Sequence, residues 1–398
     1  MLTFNYTARD TATNKIVKST VQAETEGAAA KLLMAQHIVP IKITVTDEKG
    51  GKSFGSRVSS KDKVIFSRQL ATMINAGLPL AQSLNTVEEQ TSNKNLKRII
   101  GGVAGDVNGG ASLADSFAKY PKVFNQVFIA LVRAGETSGT LDKSLERLAN
   151  QQEHDADMLS KIKGAMVYPA IVLAVIVAVV GFMLIALVPQ VESLYNDMNK
   201  ELPGTTQVLV AVANFVINFW YIVVAVLVGV IILFRRWIQT ESGRKAWDTA
   251  KLNMPLFSPL FRKLYMARFS RTAETLLASG VPLLEALKIC SDAVNNAVVK
   301  EEILRATQKV KNGKPLSEAL TGEDYILKFV PQMVKIGEQS GGIDAMLGKV
   351  ADYYEKEVDN AVKAISTTIE PILMVVMAAM IGFIVVAVLL PIYGLSGG

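Results

Sequence analysis

Apolar residues in this chain keep more than one rhythm. Across Ala165–Val188, Val208–Phe234 and Pro371–Ile392 they run on without a single Lys, Arg, Asp or Glu. A helix needs about 20 such residues to cross hydrocarbon, and a helix satisfies its own backbone there. Three membrane-spanning helices are therefore predicted. Elsewhere the apolar positions recur at helical spacing. Ile65, Leu70, Met73 and Ile74 lead up to Gly77, and Leu80, Leu84 and Val87 follow it. Gly77 suits the left-handed position that ends a helix, and Pro79 suits the first turn of the next. Leu96–Val107 reads as a third helix, stopped by Asn108-Gly109-Gly110, and Ser112-x-x-Asp115 has the spacing of a helix start. Phe128–Ala134 leads into a Gly135–Gly139 turn, and Leu141–Ile162 is a long final helix aimed at the first apolar run. The opening differs: Phe4-x-Tyr6-x-Ala8 alternates at strand period, Ile16–Val21 and Val39–Val45 are β-rich, and Glu26–Gln36 is helical in composition.

The pattern also repeats. Phe66-Ser67-Arg68 returns as Phe269-Ser270-Arg271, an offset of 203 (269 − 66), and Gly77-Leu78-Pro79-Leu80 returns as Gly280-Val281-Pro282-Leu283 at the same offset. Gly135-Glu136-Thr137-Ser138-Gly139 answers Gly337-Glu338-Gln339-Ser340-Gly341, and Pro169 and Pro189 answer Pro371 and Pro391, now at 202 (337 − 135). A slip of one residue over about a hundred positions points to duplication.

The expected architecture is mostly α: an integral membrane protein with three transmembrane helices, two homologous cytoplasmic helical-bundle domains and a small N-terminal α/β module. The segments are the module 1–47, a polar linker 48–63, repeat one 64–165, the spans 166–188 and 208–234 around a short outer loop 189–207, a basic amphipathic connector 235–266, repeat two 267–368, the span 369–392 and a tail 393–398. About six helices are expected per repeat.

Charge supplies an orientation. The 398 residues carry 42 Lys and Arg against 36 Asp and Glu, a formal +6. Only Lys200 of those basic residues lies in 189–207, and 393–398 holds none. Basic residues stay on the cytoplasmic side, so both repeats and the N-terminus are expected there, with the short loop and the C-terminus on the outer side. The positive balance then reads as topological bias and solvated helix faces, not as a nucleic-acid surface. Met1-Leu2-Thr3-Phe4-Asn5 lacks the apolar core of a signal peptide.

Catalytic chemistry finds little support. Cys290 is the only cysteine, so no disulfide or cysteine-based zinc site forms within one chain, and it reads as a small buried hydrophobe. Gly51-Lys52-Ser53 resembles the end of a phosphate loop, but Thr46 stands where the first glycine is required. His154-Asp155 lacks the further histidines of a hydrolase, with only His37 besides. Glu153, Asp155 and Asp157 offer oxygen ligands for a cation, yet on a helix their side chains fan out. No catalytic, cofactor or metal residue is assigned and no cofactor is expected.

Four motif pairs remain. In Gly135–Gly139 and Gly337–Gly341, two glycines permit a tight corner between helices; Leu141 and Ile343 then start the next helix with Asp142 and Asp344 in its first turn. Such corners are either rigid joints or, through exposed Glu136 and Glu338, contact points for a partner. Glu370 directly precedes Pro371 at the edge of the third apolar run, where a carboxylate is either functional or hydrated at the interface. Tyr168-Pro169 holds the matching place in the first copy, and Gly77, Pro79, Gly280 and Pro282 are read as structural marks of the repeat. Ala225-x-x-x-Gly229 and Ala378-x-x-x-Gly382 permit close helix contact.

With these residues in place, the chain resembles the inner-membrane platform proteins of type IV pili and type II secretion systems, the PilC/F family. The likeness rests on Phe4-x-Tyr6-x-Ala8-x-Asp10, the doubled Gly-x-Pro-Leu, the doubled Gly-Glu-x-Ser-Gly, Tyr168-Pro169, Glu370-Pro371, the Gly243-Arg244 connector and the three-span layout. It covers nearly the whole chain. Thr13-Asn14-Lys15 stands where a glycine is usual, and Tyr168 replaces the acid of the second copy. The resemblance implies a non-enzymatic, homo-oligomeric machine part. Its implied partners are a cytoplasmic hexameric assembly ATPase and a retraction ATPase in systems that have one, pilins or pseudopilins, other inner-membrane assembly proteins and the lipid bilayer. ATPase contact is expected at Gly135, Glu136, Gly139, Gly337, Glu338 and Gly341, and a pilin or membrane site at Tyr168, Pro169, Glu370 and Pro371. A transporter would find only Glu370 as an ionic lining, and a receptor would have only the short outer loop for sensing.

Overall fold

The computed structural model describes residues 2–10, 16–23, 30, 34, 38–45, 58–197 and 204–396. The chain divides into two compact units, Met1–Arg57 and Val58–Gly398. In the first, strands β1 (Leu2–Asp10), β2 (Ile16–Ala23) and β3 (Ile38–Val45) form an antiparallel sheet in the order β2-β1-β3. Phe4 pairs with Val21 on one side and Val45 on the other, and a register shift falls at Thr7/Ala8. Of the expected helix over 26–36 only Ala30 and Met34 are described, so the α part of that module lies outside the described residues, as does the linker to residue 57.

The second unit is helical. Repeat one comprises α1 (Ser60–Asn75), α2 (Leu80–Gln90), α3 (Lys94–Asn108), α4 (Leu113–Ala118), α5 (Gln126–Ser138) and α6 (Leu141–Asp197). Two further helices follow, α7 (Gly204–Gln239) and α8 (Glu241–Asn253). Repeat two comprises α9 (Ser258–Ala278), α10 (Leu283–Ala293), α11 (Ala297–Lys311), α12 (Leu316–Leu320), α13 (Phe329–Ser340) and α14 (Ile343–Ser396). Segments of α6, α7 and α14 are long and apolar enough to cross a membrane.

Several expected boundaries move. Helix α1 begins at Ser60, inside the expected linker, because Ser59 and Asp62 form a reciprocal cap: Asp62 N–H donates to Ser59 Oγ at 3.1 Å and Ser59 N–H to Asp62 Oδ2 at 2.9 Å. The expected connector 235–266 is not one element. Span helix α7 runs through Arg235–Gln239, α8 stands alone, and α9 already begins at Ser258 with Pro259 in its first turn. Phe257 and Phe261 of that stretch pack on the core. At the far end, Pro189 and Pro391 do not stop their helices, which continue to Asp197 and Ser396. The loop 189–207 is thus helical wherever it is described, and so is the tail 393–396. An intramembrane proline is tolerated where local adjustment and neighbouring groups satisfy the freed carbonyl.

Each bundle closes around buried apolar faces, and one continuous core links the two. Repeat one centres on Phe66, Phe117, Phe124 and Phe128, with ring centroids 4.5 to 6.5 Å apart. Burying each such ring stabilises by about 1.5–3 kcal/mol. Repeat two keeps Phe269 but places Leu320, Ile326 and Val330 at the other three positions, all buried. Cys290 is buried in that core, which pushes its thiol pKa up and leaves it inert, as expected of a small hydrophobe.

Candidate functional site

Two helices run unbroken from a packed bundle into an apolar segment. At about 1.5 Å per residue, the 57-residue α6 and 54-residue α14 are each some 80 Å long, starting in a packed bundle and ending in an apolar segment. What fixes them at the bundle end is the repeat signature itself. Arg68 on α1 donates to Glu153 and Glu146 on α6, at 2.7 Å from Nε to Glu153 Oε1 and 2.7 Å from Nη1 to Glu146 Oε1. Arg271 on α9 does the same to α14, with Glu355 Oε1 at 2.9 Å and Asp352 Oδ1 at 2.5 Å. The hydrogen bond from Arg68 holds the Glu153 carboxyl below the usual carboxylate range. Planar guanidinium forks suit such multiple contacts.

The glycine corners do two jobs, and only one is a turn. Gly139 and Gly341 take φ of +70° and +75°, the left-handed end of α5 and α13. Gly135 and Gly337 are not in the turn: they are helical and lie where α5 and α13 cross the next helix. A Cβ on Gly135 would sit 2.7 Å from Ser144 Cβ, and one on Gly337 would sit 2.7 Å from Ile343 Cα. Glu136 and Glu338, expected to be exposed, are half-buried and turned inward. Glu136 accepts from Leu113 N–H at 2.5 Å and Ala114 N–H at 2.9 Å, and Glu338 accepts from Leu316 N–H at 2.5 Å and from Ser317 Oγ. They cap α4 and α12, whose first N–H groups have no partner within the helix. At Gly77 and Gly280 the backbone is left-handed (φ +82° and +83°), and Pro79 and Pro282 take the cap position just before α2 and α10.

Between the repeats, α6 lies against α14, and α5 and α6 receive the C-terminal end of α9 and the start of α10. Gln151 Nε2 donates to Thr272 Oγ1 at 2.8 Å in a buried contact, and Arg147 reaches the Ala278 carbonyl and Ser279 Oγ, the latter at 3.2 Å. Further toward the apolar segments, His154 Nδ1 lies 3.2 Å from Glu355 Oε2 and Lys161 Nζ 2.9 Å from Asp359 Oδ2. Beyond these contacts Tyr168 and Glu370 are exposed, Pro169 and Pro371 lie within their helices, and α7 leaves helical geometry at Phe219 (φ −121°, ψ 23°).

Glu153, Asp155 and Asp157 do not converge: they face Arg68, Arg268 and Lys161 respectively. Among the described residues no cluster of three or more His, Cys, Asp or Glu is disposed to hold a metal. In the sequence Gly243 stands out only as part of the Gly243-Arg244 pair, and Asp248 carries no signal of its own. Gly243 lies so close to the Trp237 carbonyl that a Cβ would stand 2.0 Å from its oxygen. Asp248, buried, accepts from Ala297 N–H at 2.9 Å and from Lys251 Nζ at 2.8 Å, so α8 caps α11 and ties span helix α7 to repeat two.

Residues 66–189 and 269–391 each match the family described as type II secretion system (T2SS), protein F, and residues 1–44 match its N-terminal domain. The chain belongs to the type II secretion system protein F family. It is 38% identical over 407 residues to the type IV pilus assembly protein PilC of Thermus thermophilus, covering 100% of this chain and 99% of that protein. It is 37% identical over 369 residues to the PilC of Pseudomonas aeruginosa, covering 92% and 97%. With the type II secretion system protein F of Vibrio cholerae it shares 33% over 401 residues, 98% of each. The two matched protein F segments coincide with two structural halves, each running from its Arg–carboxylate clamp into an apolar helix. A protein F family member with three such helices is a membrane protein.

Proposed function

We propose that this protein is the inner-membrane platform of a type IV pilus or type II secretion machine, coupling a cytoplasmic hexameric ATPase to the insertion or extraction of pilin subunits. The observation that carries the reading is the continuity of α6 and α14 from clamped bundle to apolar segment. A helix transmits displacement along its axis with little bending, so a push on either bundle arrives in the bilayer. The basic bias of every flank except 189–207 and 393–398 supports placing the bundles on the ATPase side. Pro169 and Pro371 give each rod a place to bend near the start of its apolar segment.

Within this reading the bundle corners meet the ATPase through the exposed Gly139 and Gly341 backbones, which Glu136 and Glu338 shape from inside. Glu370, exposed at the edge of its apolar segment, meets pilin or lipid headgroups beside Pro371, and Tyr168-Pro169 fills the matching place on α6. The test is a deletion strain. Surface fibres or secretion should be lost while the partner ATPase still hydrolyses ATP, and intact fibres in that strain would exclude the role.

A further inference from the structure

We infer that a second copy of this chain docks on the face of repeat two formed by Ile336 and Tyr353, presenting to it the Gly77-Leu78-Pro79 corner of its own repeat one. The reasoning starts from what already joins the repeats. Repeat one offers the face of α5 and α6 that carries Ala134, Arg147 and Gln151. Repeat two offers the corner around Thr272, Ser279 and Val281. The joint is one-sided. Exchanging the roles of the repeats would pair Tyr353 with Gln69 and Lys349 with Ala76, and those residues do not meet: Gln69 donates to Gln90 instead, at 3.1 Å. A one-sided joint between equivalent units leaves one unused face at each end.

Both unused faces carry the marks of an uncovered joint. Val281, buried in the joint at 7% exposure, corresponds to Leu78, which is 38% exposed. Ala134 corresponds to Ile336 and Gln151 to Tyr353, at 49% and 46% exposure, so at these two positions the free face of repeat two is larger and more apolar than the face already in use. Exposed large apolar groups gathered on one face mark interaction sites. Charge is kept in register as well. Lys349, exposed, replaces the Arg147 that reaches the carbonyl end of α9, and the matching end of α1 offers the same partial negative charge. The continuity of this face with the joint inside each chain favours a second copy over any other occupant.

The assembly has a fixed sense. On α6 and α14, His154 faces Glu355 and the later Lys161 faces the later Asp359, so the two helices run in the same direction. An operation that carries one onto the other turns about an axis close to that shared direction, which is also the direction in which both enter their apolar segments. Repeated between chains held in one bilayer, such a rotation keeps every copy at the same depth, so the contact builds a planar arrangement that becomes a ring where the rotation closes.

The inference does not depend on the assembly role and has its own readout. In a Cys290→Ala background, full-length Gln69→Cys and Tyr353→Cys chains are expressed together and oxidised in native membranes. The cross-linked dimer should exceed that from either variant alone several-fold, and the double variant should give a ladder of higher species. A Gln151→Cys/Thr272→Cys chain serves as a positive control, closing within one molecule if the fold and oxidation conditions are sound. With that control formed, a mixed sample no richer in dimer than the single variants overturns the inference, whether the faces are covered by residues 2–45, by an ATPase or by nothing. Strong self-linking of Tyr353→Cys alone overturns its head-to-tail sense.

Discussion

Gln151 and Thr272 share a buried side chain to side chain hydrogen bond, and it joins the two halves of a duplicated protein. Thr272→Val would strand the Gln151 amide in the joint, and leaving a buried polar group unpaired costs about 1–3 kcal/mol. The expected result is a lower melting midpoint of the purified protein in detergent. Adding Gln151→Leu should recover part of that loss, since it removes the stranded group. A double variant as unstable as the sum of its singles would show that the two residues act independently.

The glycines of the corner motif should behave unequally. Gly337→Ala drives a methyl against the Ile343 backbone, which cannot rotate away, and Gly135→Ala drives one against the Ser144 side chain. Overpacking of this kind costs about 1–3 kcal/mol. Gly105, inside α3, has open space around its missing Cβ, and Gly105→Ala should be neutral or stabilise by about 0.5–1 kcal/mol. Equal effects at the three positions, read by denaturant midpoint, would remove close helix crossing as the reason for the motif.

Glu338→Ala leaves the first N–H groups of α12 without their carboxylate, at a cost of about 1–3 kcal/mol. Charge reversal there should weaken ATPase co-purification chiefly by loosening the bundle, so proteolysis near residues 315–320 should rise together with the loss of binding. Loss of binding with an unchanged digestion pattern would return Glu338 to a direct contact.

Acid should act through Glu323, held between Arg305 Nη2 at 2.6 Å and Lys309 Nζ at 2.8 Å. Burial alone would push its carboxyl up, but the hydrogen bonds from Lys309 and Arg305 outweigh it and keep the group below its ordinary 4.5. A depressed carboxyl contributes stability that is present above the unfolded value and lost as pH falls through the folded one. Neighbouring Glu302, pushed up by burial, has the opposite sign. The melting midpoint of Glu323→Gln should therefore lie below wild type at neutral pH and approach it below about pH 4. A gap that stays constant through that range would show that the ion pair is not the cause.

Glu370→Gln keeps shape and removes charge at the edge of the third apolar segment. Fibre assembly should fall while membrane insertion, checked by protease accessibility, stays normal. Wild-type assembly in this variant would reduce Glu370 to a hydrated helix end.

How far the sequence reaches is clear from particular residues. Runs of uncharged residues, glycines at left-handed helix ends and the doubled motifs are local or periodic signals, and from them come the duplication, the apolar helices and the family. Phe66-Ser67-Arg68 could be seen to repeat, yet nothing along the chain says that Arg68 reaches Glu153, 85 positions away. Glu136 looked like a surface acid because charged residues in glycine corners are usually hydrated. Only the approach of α4 turns it into a cap. The one-sided joint was invisible for a deeper reason: identical local sequence predicts identical halves. Which half uses which face depends on how the bundles meet, and that is settled by packing between residues more than a hundred positions apart, such as Gln151 and Thr272, where sequence pattern carries no direct signal.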